Sequence, residues 1–261
     1  LGLPVTRAPH AEAETGYDSR RRLWINGDPV FPIGIYRVAQ EKDLPVVADA
    51  GFNFVITPSR MLSTRYANAA NDAGIHVILS SDTMDGQVWA VIQASGNRWI
   101  SELSPTPQPD GRPPTAAEHR AMVYLALMAG ADGLAYHAWG LPAIGQHSSY
   151  YIPRDRPDLL EGIIETNRQL DWLAPTLLNS DPVPVDLAPV RMAAWESDDA
   201  RIVVAVNTAD TTAAIGFDIG AAPGEEVQVL FESRCVIATG TEELGDVFEP
   251  YAVHIYQLGA C

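Results

Sequence analysis

Apolar runs of strand length alternate with helix-like stretches through the first third of this chain, and that alternation constrains the fold more than any other feature. The runs 30–36 (Val-Phe-Pro-Ile-Gly-Ile-Tyr), 54–57 (Phe-Val-Ile-Thr) and 76–80 (His-Val-Ile-Leu-Ser) contain no Asp, Glu, Lys or Arg. The helix-like segments between them, 41–50 and 61–73, stop at Gly51 and Gly74. Glycine there can take the left-handed conformation that closes a helix. Strands apolar on both faces and joined by helices belong to a parallel sheet covered on both sides.

The rhythm then breaks. Residues 88–94 (Val-Trp-Ala-Val-Ile-Gln-Ala) read as a strand, yet only the short piece 82–87 separates them from the third strand. A parallel crossover needs about a dozen residues. These two strands therefore form an antiparallel hairpin, or else they are not neighbours and the connection spans a gap. After the Pro-rich stretch 104–114, Thr115 and Glu118 make a capping box for a helix over 116–129, which assigns Glu118 to the helix start. Residues 133–139 give a fifth strand and 159–173 an amphipathic helix. Upstream, 1–22 reads as a lead-in segment, and Asn26-Gly27-Asp28 as a hairpin turn.

From Pro182 onward, short runs at 190–195, 202–207, 215–219, 227–231 and 252–258 are separated by turn residues, the pattern of an antiparallel sandwich. The expected organisation is α/β: a lead-in at 1–22, an incomplete, shortened β/α barrel at 23–180, and a C-terminal antiparallel β-sandwich at 181–261.

The net charge of −16 argues against a nucleic-acid partner, which needs clustered Lys and Arg. No apolar run approaches the roughly 20 residues of a membrane-spanning helix, so no membrane partner is expected. The six histidines lack ligand-like spacing, so neither a metal nor another cofactor is expected. No Gly-x-Ser-x-Gly elbow, phosphate loop or dinucleotide fingerprint occurs. Cys235 and Cys261 read as free thiols, with a disulfide as the alternative.

Several segments carry a family resemblance. Arg22-Leu23-Trp24-Ile25-Asn26-Gly27 followed by Phe31-Pro32-Ile33-Gly34-Ile35-Tyr36 resembles the opening of β-galactosidase-like barrel glycoside hydrolases. Ala50-Gly51-Phe52-Asn53-Phe54-Val55 resembles their second unit. Residues 88–93 with Pro114-Thr115 and 124–134 are similar to their last two, and Phe248-Glu249-Pro250-Tyr251 onward to the closing strand of their sandwich. The resemblance implies a TIM-barrel glycosidase acting on carbohydrate, secreted or periplasmic; a chain starting at Leu1 suits either a processed or an artificially trimmed N-terminus. One departure matters. In that family the acid/base carboxylate follows the fourth barrel strand and the nucleophile a later one, and no room for those strands exists between Ser80 and Val88. A full barrel takes about 200–250 residues, so the middle of this one has been lost and no acid/base residue is carried over.

Ligands of parallel β/α folds bind at the carboxyl ends of the strands. That rule selects Tyr36, Arg37, Thr57, Ser59, Ser81, Asp82, Asp85, Gln93, Asn97, His137 and Trp139. Glycoside hydrolysis needs two carboxyl groups flanking the scissile bond, and the candidates are Asp82, Asp85 and Glu102. Tyr36, Gln93, Asn97, His137 and Trp139 are the expected substrate-binding residues, and Trp89 and Trp195 the expected core residues. The leading expectation is a glycoside hydrolase. Its rivals are a non-catalytic carbohydrate-binding or scaffold protein and, more weakly, a hydrolase using His137 as base. An incomplete barrel would expose sheet edges, so a homodimer with the gap near its interface is expected.

Overall fold

The computed structural model describes residues 15–58, 62–79, 89–95, 112–142, 149–187, 189–196, 201–239, 243–258 and 261. An antiparallel meander leads in: β1 (Thr15–Tyr17), β2 (Leu23–Ile25) and β3 (Asp28–Val30). Asn26 and Gly27 both have positive φ, 53° and 91°, the geometry a tight two-residue hairpin requires. Thr15–Tyr17, within the expected lead-in, extends the meander by pairing with β2.

The apolar runs form the parallel sheet. Its strands are β4 (Ile33–Tyr36), β5 (Phe54–Thr57), β6 (His76–Leu79), β7 (Trp89–Gln93) and β8 (Gly133–His137). The spatial order is β6-β5-β4-β8-β7, with every pairing parallel. This decides between the two readings of the short connection: β6 and β7 are opposite edges of the sheet, not a hairpin. Among the described residues no pairing joins those edges, and no closed barrel forms.

Helices α1 (Leu44–Asp49), α2 (Thr64–Asp72) and α3 (Ala116–Met128) follow β4, β5 and β7 in the expected alternation. Helix α2 starts at Thr64, where the Ser63 hydroxyl accepts from the Tyr66 N–H at 3.1 Å, and so later than the sequence suggests. The Thr115–Glu118 capping box forms as read, and Arg112 grips the Glu118 carboxylate with two bonds of 2.6 and 2.7 Å. Ile33, Ile35, Val55, Ile92, Leu134 and Tyr136 face these helices in one core cluster. On the other face the Trp89 ring lies over Gly34 and Gly133, where a Cβ would come within 3.4 and 3.1 Å of it. Leu23 and Ile25 of the meander close against Phe54 and Trp89 on that face.

Two short strands, β9 (Gly140–Leu141) and β10 (Tyr150–Tyr151), pair across the loop after β8. Helix α4 (Ile152–Asp155) leads into α5 (Pro157–Asn179). Asn167 of α5 donates to the Ala50 carbonyl at 2.8 Å and accepts from the Tyr136 hydroxyl at 2.9 Å, which locks the helix to the sheet.

The C-terminal part is antiparallel. Strands β11 (Val183–Leu187), β12 (Val190–Glu196), β13 (Arg201–Asn207), β18 (Val253–Leu258), β15 (Glu226–Val229) and β16 (Arg234–Ile237) form one sheet in that spatial order. Strands β14 (Ala213–Asp218) and β17 (Glu243–Phe248) form a second. One face of the large sheet sends Trp195, Ile202, Val204 and Ile255 into the core shared with the helices. The other packs Met192, Val203 and Tyr256 against Phe217, Leu244 and Phe248. Arg120 of α3 bonds the Val253 carbonyl at 2.7 Å and Gln169 of α5 at 3.0 Å, tying the two halves together. The free-thiol expectation is corrected: Cys235 on β16 is disulfide-bonded to Cys261, with Cα atoms 6.2 Å apart. The fold brings the last residue back to the edge of the sheet, a proximity that a separation of 26 residues does not announce.

Candidate functional site

The carboxyl ends of β4 and β8 open into a cleft of about 450 Å3. Its walls come from the loop after β4 and from the β9–β10 pair, and Arg37, Asp43, Trp139, Tyr150, Tyr151 and Arg154 line it. Parallel strands end in step, so the loops that follow them converge at one end of the sheet.

Asp43 ends a short 3-10 turn, Glu41–Asp43, just ahead of α1. It is 5 % exposed, and both carboxylate oxygens accept hydrogen bonds. The Tyr151 hydroxyl donates to Oδ1 at 3.1 Å and the Trp139 indole N–H to Oδ2 at 3.4 Å. A carboxylate can accept about four such bonds, so each oxygen keeps accepting capacity. Burial raises the Tyr151 pKa, and the Asp43 acceptor raises it further, so Tyr151 stays a donor at neutral pH. Trp139 and Tyr151 meet edge to face with ring centroids 6.1 Å apart. Tyr150 is pushed up to about 12 by burial and donates to the Ala94 carbonyl at 2.9 Å, which fixes β10 beside the end of β7.

Beside the cleft, His137 pairs with Gln93 across the sheet, and the Tyr36 and His137 rings lie 5.7 Å apart. Burial lowers the His137 pKa and the Arg37 charge lowers it further, so His137 is neutral at pH 7. Arg37 itself has φ of 61°, the left-handed region that non-glycine residues seldom occupy. Its N–H donates to the Ile56 carbonyl at 3.1 Å.

The structure therefore gathers Tyr36, His137, Gln93 and Trp139 at one end of the sheet. The Gln93 amide nitrogen donates to the backbone carbonyls of Ser95 at 2.8 Å and Arg112 at 3.4 Å. Thr57 is fully buried, with no hydrogen-bond partner for its hydroxyl among the described residues. Asp82, Asp85, Glu102, Asn97, Ser59 and Ser81 lie outside the described residues. Asp43, Tyr150 and Tyr151 are site residues that sequence reasoning passed over. The strand-end rule reached only a few residues into each loop, and Asp43 lies beyond that reach, at the end of the loop after β4.

No family model matches this chain, and no curated protein matches it. Among solved structures it is similar to the α-amylase of Geobacillus thermoleovorans complexed with acarbose (11% identity, 90% of this chain and 54% of that one, TM-score 0.49). It is also similar to an Anoxybacillus α-amylase (12% identity, 88% and 52%, TM-score 0.46). A third is a β-L-arabinopyranosidase of Geobacillus stearothermophilus in complex with arabinose (11% identity, 85% and 61%, TM-score 0.42). The chain spans about half the length of the two amylases.

Proposed function

We propose that this protein is a glycoside hydrolase that holds a sugar in the cleft at the carboxyl ends of β4 and β8. The observation that carries the reading is the cleft wall. Tyr150 and Tyr151 supply flat apolar faces, backed by the buried Trp139 ring, while the Asp43 carboxylate and the Arg37 guanidinium supply hydrogen bonds. A pyranose ring needs that combination, because its C–H faces stack on aromatics while its hydroxyls take polar partners. In this proposal the hydrolytic carboxylates are Asp82 and Asp85, which follow β6 in the sequence, and Glu102, which follows β7. One acts as general acid on the leaving oxygen, and a second acts as base or nucleophile. The open parallel sheet is read as a shortened barrel, and the two antiparallel sheets as its sandwich. The Cys235–Cys261 disulfide supports a secreted or periplasmic location, since disulfides persist in oxidising compartments.

One observation favours a second reading, a non-catalytic carbohydrate binder: among the described residues Asp43 is the only carboxylate lining the cleft. A panel of aryl glycosides and oligosaccharides, scored for both turnover and binding, separates the two. Turnover that Asp82→Asn, Asp85→Asn or Glu102→Gln reduces by about 100-fold or more supports hydrolysis. Binding without turnover supports the second reading, and neither binding nor turnover rejects both.

A further inference from the structure

The cleft holds two guanidinium groups of different standing. Arg154 is closed by its neighbour Asp155, with Nε and Nη2 each 2.7 Å from a carboxylate oxygen. Arg37 is half-buried, and the described residues give its guanidinium neither an ion pair nor a hydrogen bond. An arginine cannot shed its proton to escape burial. A partly desolvated, unpaired guanidinium is therefore an unfavourable element unless an anion arrives to pair with it.

The obvious internal anion is Asp43, on the same cleft wall. It is instead held by neutral donors, the Trp139 indole and the Tyr151 hydroxyl, and makes no ion pair with Arg37. The backbone points the same way. Arg37 occupies a left-handed conformation at φ 61°, held by its bond to Ile56, at a position where glycine or asparagine would be easier. Strained backbone at a cleft is a pointer to function. The depressed pKa of His137, partly owed to Arg37, keeps a second positive charge out of the site at neutral pH. The net charge of −16 repels anions at long range, but at physiological salt such repulsion fades over about 8 Å, and the pairing at Arg37 is a contact interaction.

We propose that the cleft selects a sugar bearing a carboxylate, a hexuronic acid unit, with Arg37 receiving that carboxylate through the fork of its guanidinium. This rests on the carbohydrate reading above and adds the substrate class. Tyr150 and Tyr151 wall the ring, with the buried Trp139 behind Tyr151, and Asp43 takes hydroxyl donors at its remaining lone pairs. Arg37 is thus a specificity-determining residue.

The test is calorimetric binding to the full chain of methyl β-D-glucuronide and methyl β-D-galacturonide. Their methyl esters, the parent methyl glycosides and sodium acetate serve as comparisons. The acid of one pair at least is expected to bind about 10- to 100-fold more tightly than its ester and its neutral parent, as a charge-assisted bond provides. Arg37→Gln is expected to abolish that discrimination, and Arg37→Lys, which keeps the charge and loses the fork, to retain part of it. Esters or parents that bind as tightly as the acids overturn the inference and leave the carbohydrate reading standing, as does discrimination unchanged in Arg37→Gln. Acetate that competes as strongly as a uronide also overturns it, by showing a bare anion site. If no sugar binds in any form, both fall. Should Arg37→Gln fail to fold, the comparison of acid with ester on the unaltered protein still decides.

Discussion

His119 sits on the buried side of α3 at 0 % exposure, and neither ring nitrogen has a hydrogen-bond partner among the described residues. Its ring meets that of Tyr136 edge to face, with centroids 4.7 Å apart. Burial lowers its pKa from 6.5 to about 3, so it folds as the neutral imidazole. The sign of the pH effect follows. Between pH 6.5 and about 3 the unfolded chain binds the proton and the folded chain does not, so stability falls as pH falls through that window. The slope approaches roughly 1.4 kcal/mol per pH unit. Glu232 and Asp246 have lowered pKa values and lose stability in the same direction, so a comparison is needed to isolate the histidine. His119→Phe keeps an aromatic edge against Tyr136 and removes the titration. Urea unfolding at pH 7, 6, 5 and 4.5 is expected to show the variant gaining on the parent at each step. At pH 7 it is expected to match or exceed the parent by about 1 kcal/mol, since an unpaired buried N–H is relieved. A difference independent of pH would contradict a neutral buried histidine.

The element with the weakest claim to its place is β16, a four-residue edge strand of alternating partly buried and exposed residues that pairs, among the described residues, only with β15. The Cys235–Cys261 disulfide pins it to the chain terminus and closes a loop containing β17 and β18. Closing a loop of that length lowers the entropy of the unfolded chain by an amount worth roughly 3.5 kcal/mol. The double variant Cys235→Ser, Cys261→Ser is therefore expected to be 2–4 kcal/mol less stable, about the range for such bonds, and insensitive to dithiothreitol. The parent should fall to the same stability once reduced; equal stability of oxidised parent and double variant would show the bond to be idle. The sequence made the parallel strands legible because burial on both faces writes an unbroken apolar run, as at Phe54-Val55-Ile56-Thr57. It hid β16 and β17 because edge and two-stranded pairings tolerate polar residues: Glu243-Leu244-Gly245-Asp246-Val247-Phe248 looks like a loop until β14 pairs with it. It also hid the full extent of α5. The amphipathic pattern read over 159–173 falls short, and α5 runs through Pro175 to Asn179, its last turn held by the Asn179 amide on the Pro175 carbonyl at 2.8 Å. The strand-end half of the site was readable by rule. Asp43 was not, because its partners Trp139 and Tyr151 are about a hundred residues away and only the fold brings them together.

At the scale of the molecule the remaining question is the sheet, which is open among the described residues. Strands β6 and β7 end the sheet on opposite sides, and neither His76-Val77-Ile78-Leu79 nor Trp89-Ala90-Val91-Ile92-Gln93 carries the charges or proline that natural edge strands use to discourage pairing. Val91 of β7 is 63 % exposed and points away from the helices, whereas its neighbour Ile92 is buried among them. An uncharged edge carrying an exposed branched side chain favours pairing with another strand, and a second copy of the same chain always supplies one. Antiparallel pairing of β7 with its own copy would be isologous and self-closing, as two-fold dimers are. The expected result is a homodimer with the open side of the sheet at its interface. Light scattering at micromolar concentration should then give twice the 28.2 kDa of one chain. Val91→Lys, which places a charge on that edge, should shift the mass to the monomer without loss of secondary structure, because the residue makes no contribution to the buried core. A parent protein that elutes and scatters as a 28.2 kDa particle would remove the dimer. It would also require the β7 edge to be covered from within the chain.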